Sequence, residues 1–182
     1  WSSDVCSSDL YVGGGNCDGI PGSRVLRLDL QNVKHGWVHC TAFPGNPRVQ
    51  PVSGAVDDIA FCIWGGFNPR TDKAPATLSL EGCAITTDDG TWGQEPIPTD
   101  KTGAPIFLGG AASVGLPTGE TLVVGGVHRD IFLQALNNPQ PDYLRHPAEW
   151  YCFNPDILLY DYGEWRLVGR SQVTARAGAA LV

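Results

Sequence analysis

Phe61-Cys-Ile-Trp-Gly-Gly66 is an apolar run closed by two glycines, and it occurs three times in variant form. The other copies are Leu10-Tyr-Val-Gly-Gly-Gly15 and Thr121-Leu-Val-Val-Gly-Gly126. Counted from the second glycine, Gly14 to Gly66 is 52 residues and Gly66 to Gly126 is 60. Each glycine pair is followed by a short apolar stretch, a turn and a tryptophan. These are Val25-Leu-Arg-Leu-Asp-Leu30 with Trp37, Leu80-Glu-Gly-Cys-Ala-Ile85 with Trp92, and Asp156-Ile-Leu-Leu-Tyr-Asp161 with Trp165. Small residues lie between the units: Pro51-Val-Ser-Gly-Ala-Val56, Gly109-Gly-Ala-Ala-Ser-Val114 and Arg176-Ala-Gly-Ala-Ala-Leu-Val182.

Runs this short, bounded by Gly, Asp, Asn or Pro, read as strands. Four strands per unit make a small antiparallel sheet that cannot bury both faces alone, so neighbours must stack. Small residues suit an innermost strand crowded around an axis. A double glycine suits a strand end that needs unusual dihedrals or close approach. A tryptophan suits a wedge between sheets, with one N–H to satisfy. This pattern resembles the kelch β-propeller, and the expected fold is all-β: about three four-stranded blades of a ring.

The units are expected at about 10–53, 54–108 and 109–174. Residues 10–16 read as a second strand without its first, and 175–182 as a first strand without its blade. Residues 1–9 match nothing later, resemble a translated sequencing adapter, and are set aside. There is no methionine, even at position 1. The chain is therefore expected to be a fragment that does not close alone, exposes aggregation-prone edges and is inactive by itself.

Composition narrows the function. The 182 residues carry a net charge of −7, which argues against nucleic acid or an anionic membrane as partner. No apolar run approaches the roughly 18 residues of a membrane span. The six cysteines are dispersed, with no metal-ligand spacing; Cys62, inside an apolar run, reads as a buried free thiol. The compartment stays open between periplasm and cytoplasm.

The third unit is longer. Gly126 to Trp165 is 39 residues, against 23 for Gly14 to Trp37 and 26 for Gly66 to Trp92. A short helix is expected from Asp130, with Asp130 as its cap and Ile131, Leu133 and Leu136 as apolar contacts, ended by Pro139 and Pro141. A second helical turn is expected from Pro147, carrying Glu149. This insertion holds His128, Arg129, Asp130, Arg145, His146 and Glu149, and reads either as a lid with an acid/base pair or as an exposed polar loop.

Gly125-Gly-Val-His-Arg-Asp-Ile-Phe132 and Tyr143-Leu-Arg-His-Pro-Ala-Glu-Trp150 resemble the insertion of the N-acetylneuraminate (sialic acid) mutarotase family, in its cyclically permuted bacterial branch. Phe43-Pro-Gly-Asn-Pro-Arg-Val-Gln-Pro-Val52 and Gln172 to Leu181 are similar to it as well. Two departures stand out: His128 replaces an expected Asn, and the middle repeat lacks a Tyr-Asp strand.

The resemblance implies a six-bladed ring and cofactor-free interconversion of the α and β anomers of a sugar acid at one mouth of it. One group takes the proton from the anomeric hydroxyl while another protonates the ring oxygen. Glu149 is the first candidate for acid/base work by its match to the family insertion, and His146 the second, since an imidazole titrates near neutrality. Arg48 and Arg176, each at the start of an innermost strand, are candidate carboxylate clamps or else structural arginines bonding to a neighbouring blade. His128 and Arg129 are further substrate-binding candidates. Trp64 and Trp92 read as packing between blades. The rival reading is a non-catalytic kelch scaffold for a protein partner. A copper oxidase and a phosphate site at Gly13-Gly-Gly15 lack the side chains they need.

Overall fold

The computed structural model describes residues 9–17, 20–56 and 59–181. Three antiparallel sheets follow one another along the chain. The first contains Asp9–Gly13, Val25–Asp29 and Val38–Cys40. The second contains Val52–Val56, Ala60–Trp64, Gly82–Thr86 and Trp92–Glu95. The third contains Ala111–Gly115, Thr121–Gly125, Asp156–Asp161 and Glu164–Arg170. Within each sheet the strands pair in chain order, and the fold is that of a kelch-type β-propeller. No described helix is long and apolar enough to cross a membrane.

The second sheet explains why the run at Phe61 is apolar at every position. Side chains alternate across a strand, so Cys62 and Trp64 face one way while Phe61 and Ile63 face the other. Cys62, Trp64, Ala84 and Val52 form one core with Val123, Leu158 and Tyr160 of the third sheet. Phe61, Ile63, Cys83 and Ile85 form another with Val25 of the first sheet and with Phe43. Cys62 and Cys83 are buried free thiols, and burial pushes the Cys83 thiol up to about 11. A fully buried side chain of this kind contributes about 1.5–3 kcal/mol, so the double-sided core supplies much of the stability.

The glycine pairs share one geometry. Gly14 and Gly15 (φ 75° and 92°), Gly65 and Gly66 (62° and 84°), and Gly125 and Gly126 (76° and 109°) all lie in the left-handed region. In the first unit the pair is thus Gly14–Gly15, one residue beyond the expected register. The tryptophans also repeat. Trp92 Nε1 donates to the Thr41 carbonyl at 3.0 Å, one residue past the first sheet's outer strand. Trp165 Nε1 donates to the Pro96 carbonyl at 2.9 Å, one residue past that of the second. Trp165 also packs on Trp64 and Tyr160, with centroids 5.1 Å away in each case. Trp37 lies just before the first sheet's outer strand, has no preceding sheet among the described residues, and is 45% exposed rather than wedged.

Some boundaries differ from the expected ones. Asp9 belongs to the first strand, pairing with Asp29 in register and lying 3.5 Å from Arg27; the rest of the set-aside leader, residues 1–8, lies outside the described residues. The boundary at 53/54 cuts the inner strand Val52–Val56. The middle unit's third strand is Gly82–Thr86, not 80–85, and its first residue must be glycine because the Trp64 indole lies 2.6 Å from where a Cβ would sit. Residues 175–181 form no strand. A strand is made by ladder bonds, and among the described residues no strand pairs with them.

Sheet two meets sheet three through its inner strand. Ser113 Oγ donates to the Ser53 carbonyl at 2.6 Å, and Thr121 Oγ1 to that of Ala55 at 3.2 Å. A Cβ on Gly54 would lie 2.7 Å from Thr121 Cγ2 and collide with Thr121 Oγ1. Thr121 is fully buried and cannot give way.

Arg48 ties the segment before the second sheet's inner strand to that sheet's glycine pair and third strand. It is 1% exposed. Its Nη1 donates to the carbonyls of Gly65 (3.4 Å) and Glu81 (2.9 Å) and to Ser79 Oγ (3.1 Å). Its Nη2 reaches Glu81 Oε2 at 2.9 Å, Nε reaches the Asn46 carbonyl at 3.3 Å, and the guanidinium lies 5.0 Å from the Phe43 ring centroid. A guanidinium so enclosed has little face for a substrate carboxylate, which favours the structural alternative for Arg48 over the carboxylate clamp.

Two outcomes follow for urea unfolding. Gly54→Ala costs about 1–3 kcal/mol through overpacking, whereas Gly93→Ala, whose Cβ would meet nothing within 4 Å, stays within about 0.5 kcal/mol. Arg48→Ala costs about 3 kcal/mol by leaving buried carbonyls unpaired, and Glu81→Gln about 1 kcal/mol. A stable Arg48→Ala protein with only weakened ligand affinity would contradict the structural role.

Candidate functional site

Strand reversal within each sheet places two sets of connections at one end: those joining second to third strands, and those joining one sheet to the next. In the first two units the second-to-third connection is a short ribbon, pairing Asn16–Cys17 with Ile20–Pro21 and Phe67–Asn68 with Thr77–Leu78. In the third unit it is the insertion, residues 127–155. Its helix runs Arg129–Asn137 with His128 at the N-cap, so Asp130 sits in the first turn rather than capping. A carboxylate there still favours the helix N-terminus. Short 3₁₀ turns follow at Tyr143–Arg145 and, after Pro147, at Ala148–Tyr151.

The distal part of the insertion is held by rings. The His146 imidazole stacks on Trp150 with centroids 3.9 Å apart and planes at 13°. Tyr143 and Tyr151 meet edge to face at 5.4 Å, Tyr151 stacks on Phe153 at 5.2 Å, and the Tyr151 hydroxyl donates to the Tyr143 carbonyl at 2.6 Å. Burial pushes the Tyr143 phenol up, and the neighbouring Tyr151 adds to the shift. His146 Nε2 is buried with no hydrogen-bond partner among the described residues. Glu149 lies in the last 3₁₀ turn, exposed, and its carboxylate makes no ion pair among the described residues.

The proximal part is pinned by backbone bonds. Val127 N donates to Gly109 O at 2.9 Å, Asn154 N to Gly126 O at 3.0 Å, and Gly126 N to Arg176 O at 2.9 Å. Gly178 N donates to Gly110 O at 2.7 Å. Residues 176–178 thus run along the glycine pair of the third sheet. The Arg176 side chain is exposed, without an ion-pair partner among the described residues. The Arg129 guanidinium lies 5.4 Å from the Phe107 ring centroid and 3.1 Å from Asp130 Oδ1. His128 is exposed beside it.

The structure therefore brings Arg176, His128 and Arg129 together around Gly125–Gly126, while His146 and Glu149 lie further along the insertion, with no hydrogen bond joining them. Arg48 occupies the matching place between the first two sheets, where its carbonyl accepts from Gly15 N at 3.0 Å, but its guanidinium is enclosed. Two clefts escaped the sequence reading. One of 740 Å³ lies over the first sheet, lined in part by Asn16, Ser23, Arg24 and His39. One of 510 Å³ lies between the helix and the Tyr143–Arg145 turn, lined in part by Phe132, Leu136, Leu144 and Arg145. The first is lined by separate segments and so has no contiguous sequence signal, whereas the second is lined wholly within residues 132–145 of the insertion. Among the described residues, no three His, Cys, Asp or Glu side chains are placed to hold a metal ion.

A family model described as N-acetylneuraminate epimerase matches residues 2–182, including most of the stretch set aside above. Relatives bearing that name include the protein of Salmonella enteritidis PT4 (strain P125109), 25% identical over 186 residues, covering 95% of this chain and 46% of the relative. That of Haemophilus influenzae (strain PittEE) is 28% identical over 182 residues, covering 94% and 46%. A solved structure titled "Structure of YjhT" superposes with a TM-score of 0.74 at 24% identity, covering 94% of this chain and 51% of that one; it supports the fold. The chain spans about half the length of the curated relatives it matches. With sheets, glycine pairs and insertion all inside one family match, the chain belongs to the N-acetylneuraminate epimerase family.

Proposed function

We propose that this chain contributes about half of a propeller enzyme that interconverts the α and β anomers of N-acetylneuraminate, acting with further blades. Supporting this reading is the insertion at the end of the third sheet, which carries acid/base and cationic side chains over the family's matched segment.

Ring opening needs a base at the anomeric hydroxyl and an acid at the ring oxygen; closure on the other face reverses the two roles. Glu149 takes one of these roles. Its exposed carboxylate makes no ion pair among the described residues and is free to accept the hydroxyl proton. His146 takes the other, with its ring plane set by Trp150 and its buried Nε2 without a hydrogen-bond partner among the described residues. Arg176 offers an unpaired fork to the substrate carboxylate. Arg129 adds positive charge beside it, and His128 a further donor or acceptor. Arg48 has no part in this.

The test releases α-N-acetylneuraminate with a sialidase and follows anomerisation by proton NMR, using the complete enzyme. Wild type accelerates the exchange, and Glu149→Gln loses about 10²-fold or more in kcat. Arg176→Ala raises KM more than it lowers kcat. Folded wild type without acceleration overturns the enzymatic reading and favours a binding scaffold. A fully active Glu149→Gln moves the acid/base role elsewhere.

A further inference from the structure

The helix of the insertion contains no fully buried residue, so apolar burial alone does not hold it. Its attachment to the rest of the molecule is concentrated at the last residue, Asn137. The Asn137 side chain bonds both backbone groups of Ala76: Ala76 N donates to Oδ1 at 2.6 Å, and Nδ2 donates to Ala76 O at 3.2 Å. Arg70 Nη1 donates to the Asn137 carbonyl at 2.8 Å, and Phe132 packs edge to face on Phe67 at 5.1 Å. Phe67, Arg70 and Ala76 all belong to the connection between the second and third strands of the neighbouring sheet.

The chemistry of this contact is specific. Ala76 is 3% exposed, so its peptide groups have little access to water. Only a carboxamide supplies one acceptor and one donor at that spacing. An aspartate would accept from Ala76 N but set a second oxygen against Ala76 O. From Asn137 the chain leaves on an excursion, residues 138–153, that carries His146 and Glu149. It returns at Asn154, whose N–H is held by Gly126 O. The excursion has two fixed ends, and one of them stands on the neighbouring sheet.

We propose that Asn137 is a positioning residue: its two-bond latch on Ala76 fixes the insertion across two sheets and sets His146 and Glu149 over the mouth. This rests on the mutarotase reading for its catalytic consequence, but not for its structural one. The latch acts through the residues it holds and does not touch substrate.

Hydrogen exchange by mass spectrometry and anomerisation kinetics on the complete enzyme test it together. In Asn137→Asp, amides of residues 138–153 exchange about tenfold faster, while Thr121–Gly125 and Asp156–Asp161 keep their protection. The kcat falls about tenfold and KM stays within about twofold, as expected when reacting groups are misplaced rather than removed. Arg70→Ala, an exposed change that removes only the bond to the Asn137 carbonyl, shifts both readings in the same direction by less. It decides the matter if Asn137→Asp loosens the sheets as well. Unchanged exchange in 138–153 overturns the latch. Faster exchange with unchanged kcat overturns the positioning role. Faster exchange in an enzyme whose wild type does not catalyse anomerisation overturns the mutarotase reading and the positioning role with it, and leaves the latch standing.

Discussion

Burial of the second sheet on both faces is the condition on which the rest depends. Its strands Ala60–Trp64 and Gly82–Thr86 present apolar side chains to two neighbours at once. Remove either neighbour and one row of those side chains meets water. The sheets are spaced by a few contacts repeated from unit to unit. A tryptophan indole donates to the carbonyl just past the previous sheet's outer strand, and the second sheet's inner strand lies close enough to Thr121 of the third sheet to require glycine at position 54. Trp37, which has no preceding sheet among the described residues, is accordingly exposed.

Because spacing is set by the sheets, the connections at one end are free to vary. Two of them are two-residue ribbons, and the third is an insertion. This insertion does not rest on its own sheet alone. Its backbone is tied to Gly109 and Gly126 of the third unit, and its helix end to Ala76 of the second. A rigid spacing between sheets is therefore transmitted to the part of the molecule proposed to carry the chemistry, although that part has little buried surface of its own.

How legible each feature was in the sequence follows from the kind of partner it needs. The glycine pairs and tryptophans were legible because each residue type answers one geometric demand. The first pair was misplaced by one residue since Gly13, Gly14 and Gly15 look alike; only φ separates them. Arg48 stayed open between two roles because most of its partners are carbonyls of Asn46, Gly65 and Glu81, which any residue supplies. Asn137 was missed for the same reason, its partner being the backbone of an alanine. The helix in the insertion was found because Asp130, Leu136 and Pro139 mark its ends. The orientation of His146 was not, because stacking on Trp150 depends on a turn geometry that the order of residues does not encode. Residues 175–181 read as a strand by composition, yet strand structure needs a partner on each laddered edge.

Charge adds a constraint on recognition. The protein carries a net −7, and the proposed substrate is an anion, so the long-range field opposes binding. Screening limits that opposition to about 8 Å at physiological ionic strength, so the charges nearest the site set the local field. Of the two proposed cations, Arg129 already has Asp130 at 3.1 Å, whereas Arg176 faces no described carboxylate. Under the proposed function, an incoming carboxylate gains a bond at Arg176 without displacing one, while at Arg129 it must compete with Asp130. The same proposal therefore assigns recognition of the acid group to the short-range fork at Arg176 rather than to steering by the protein as a whole.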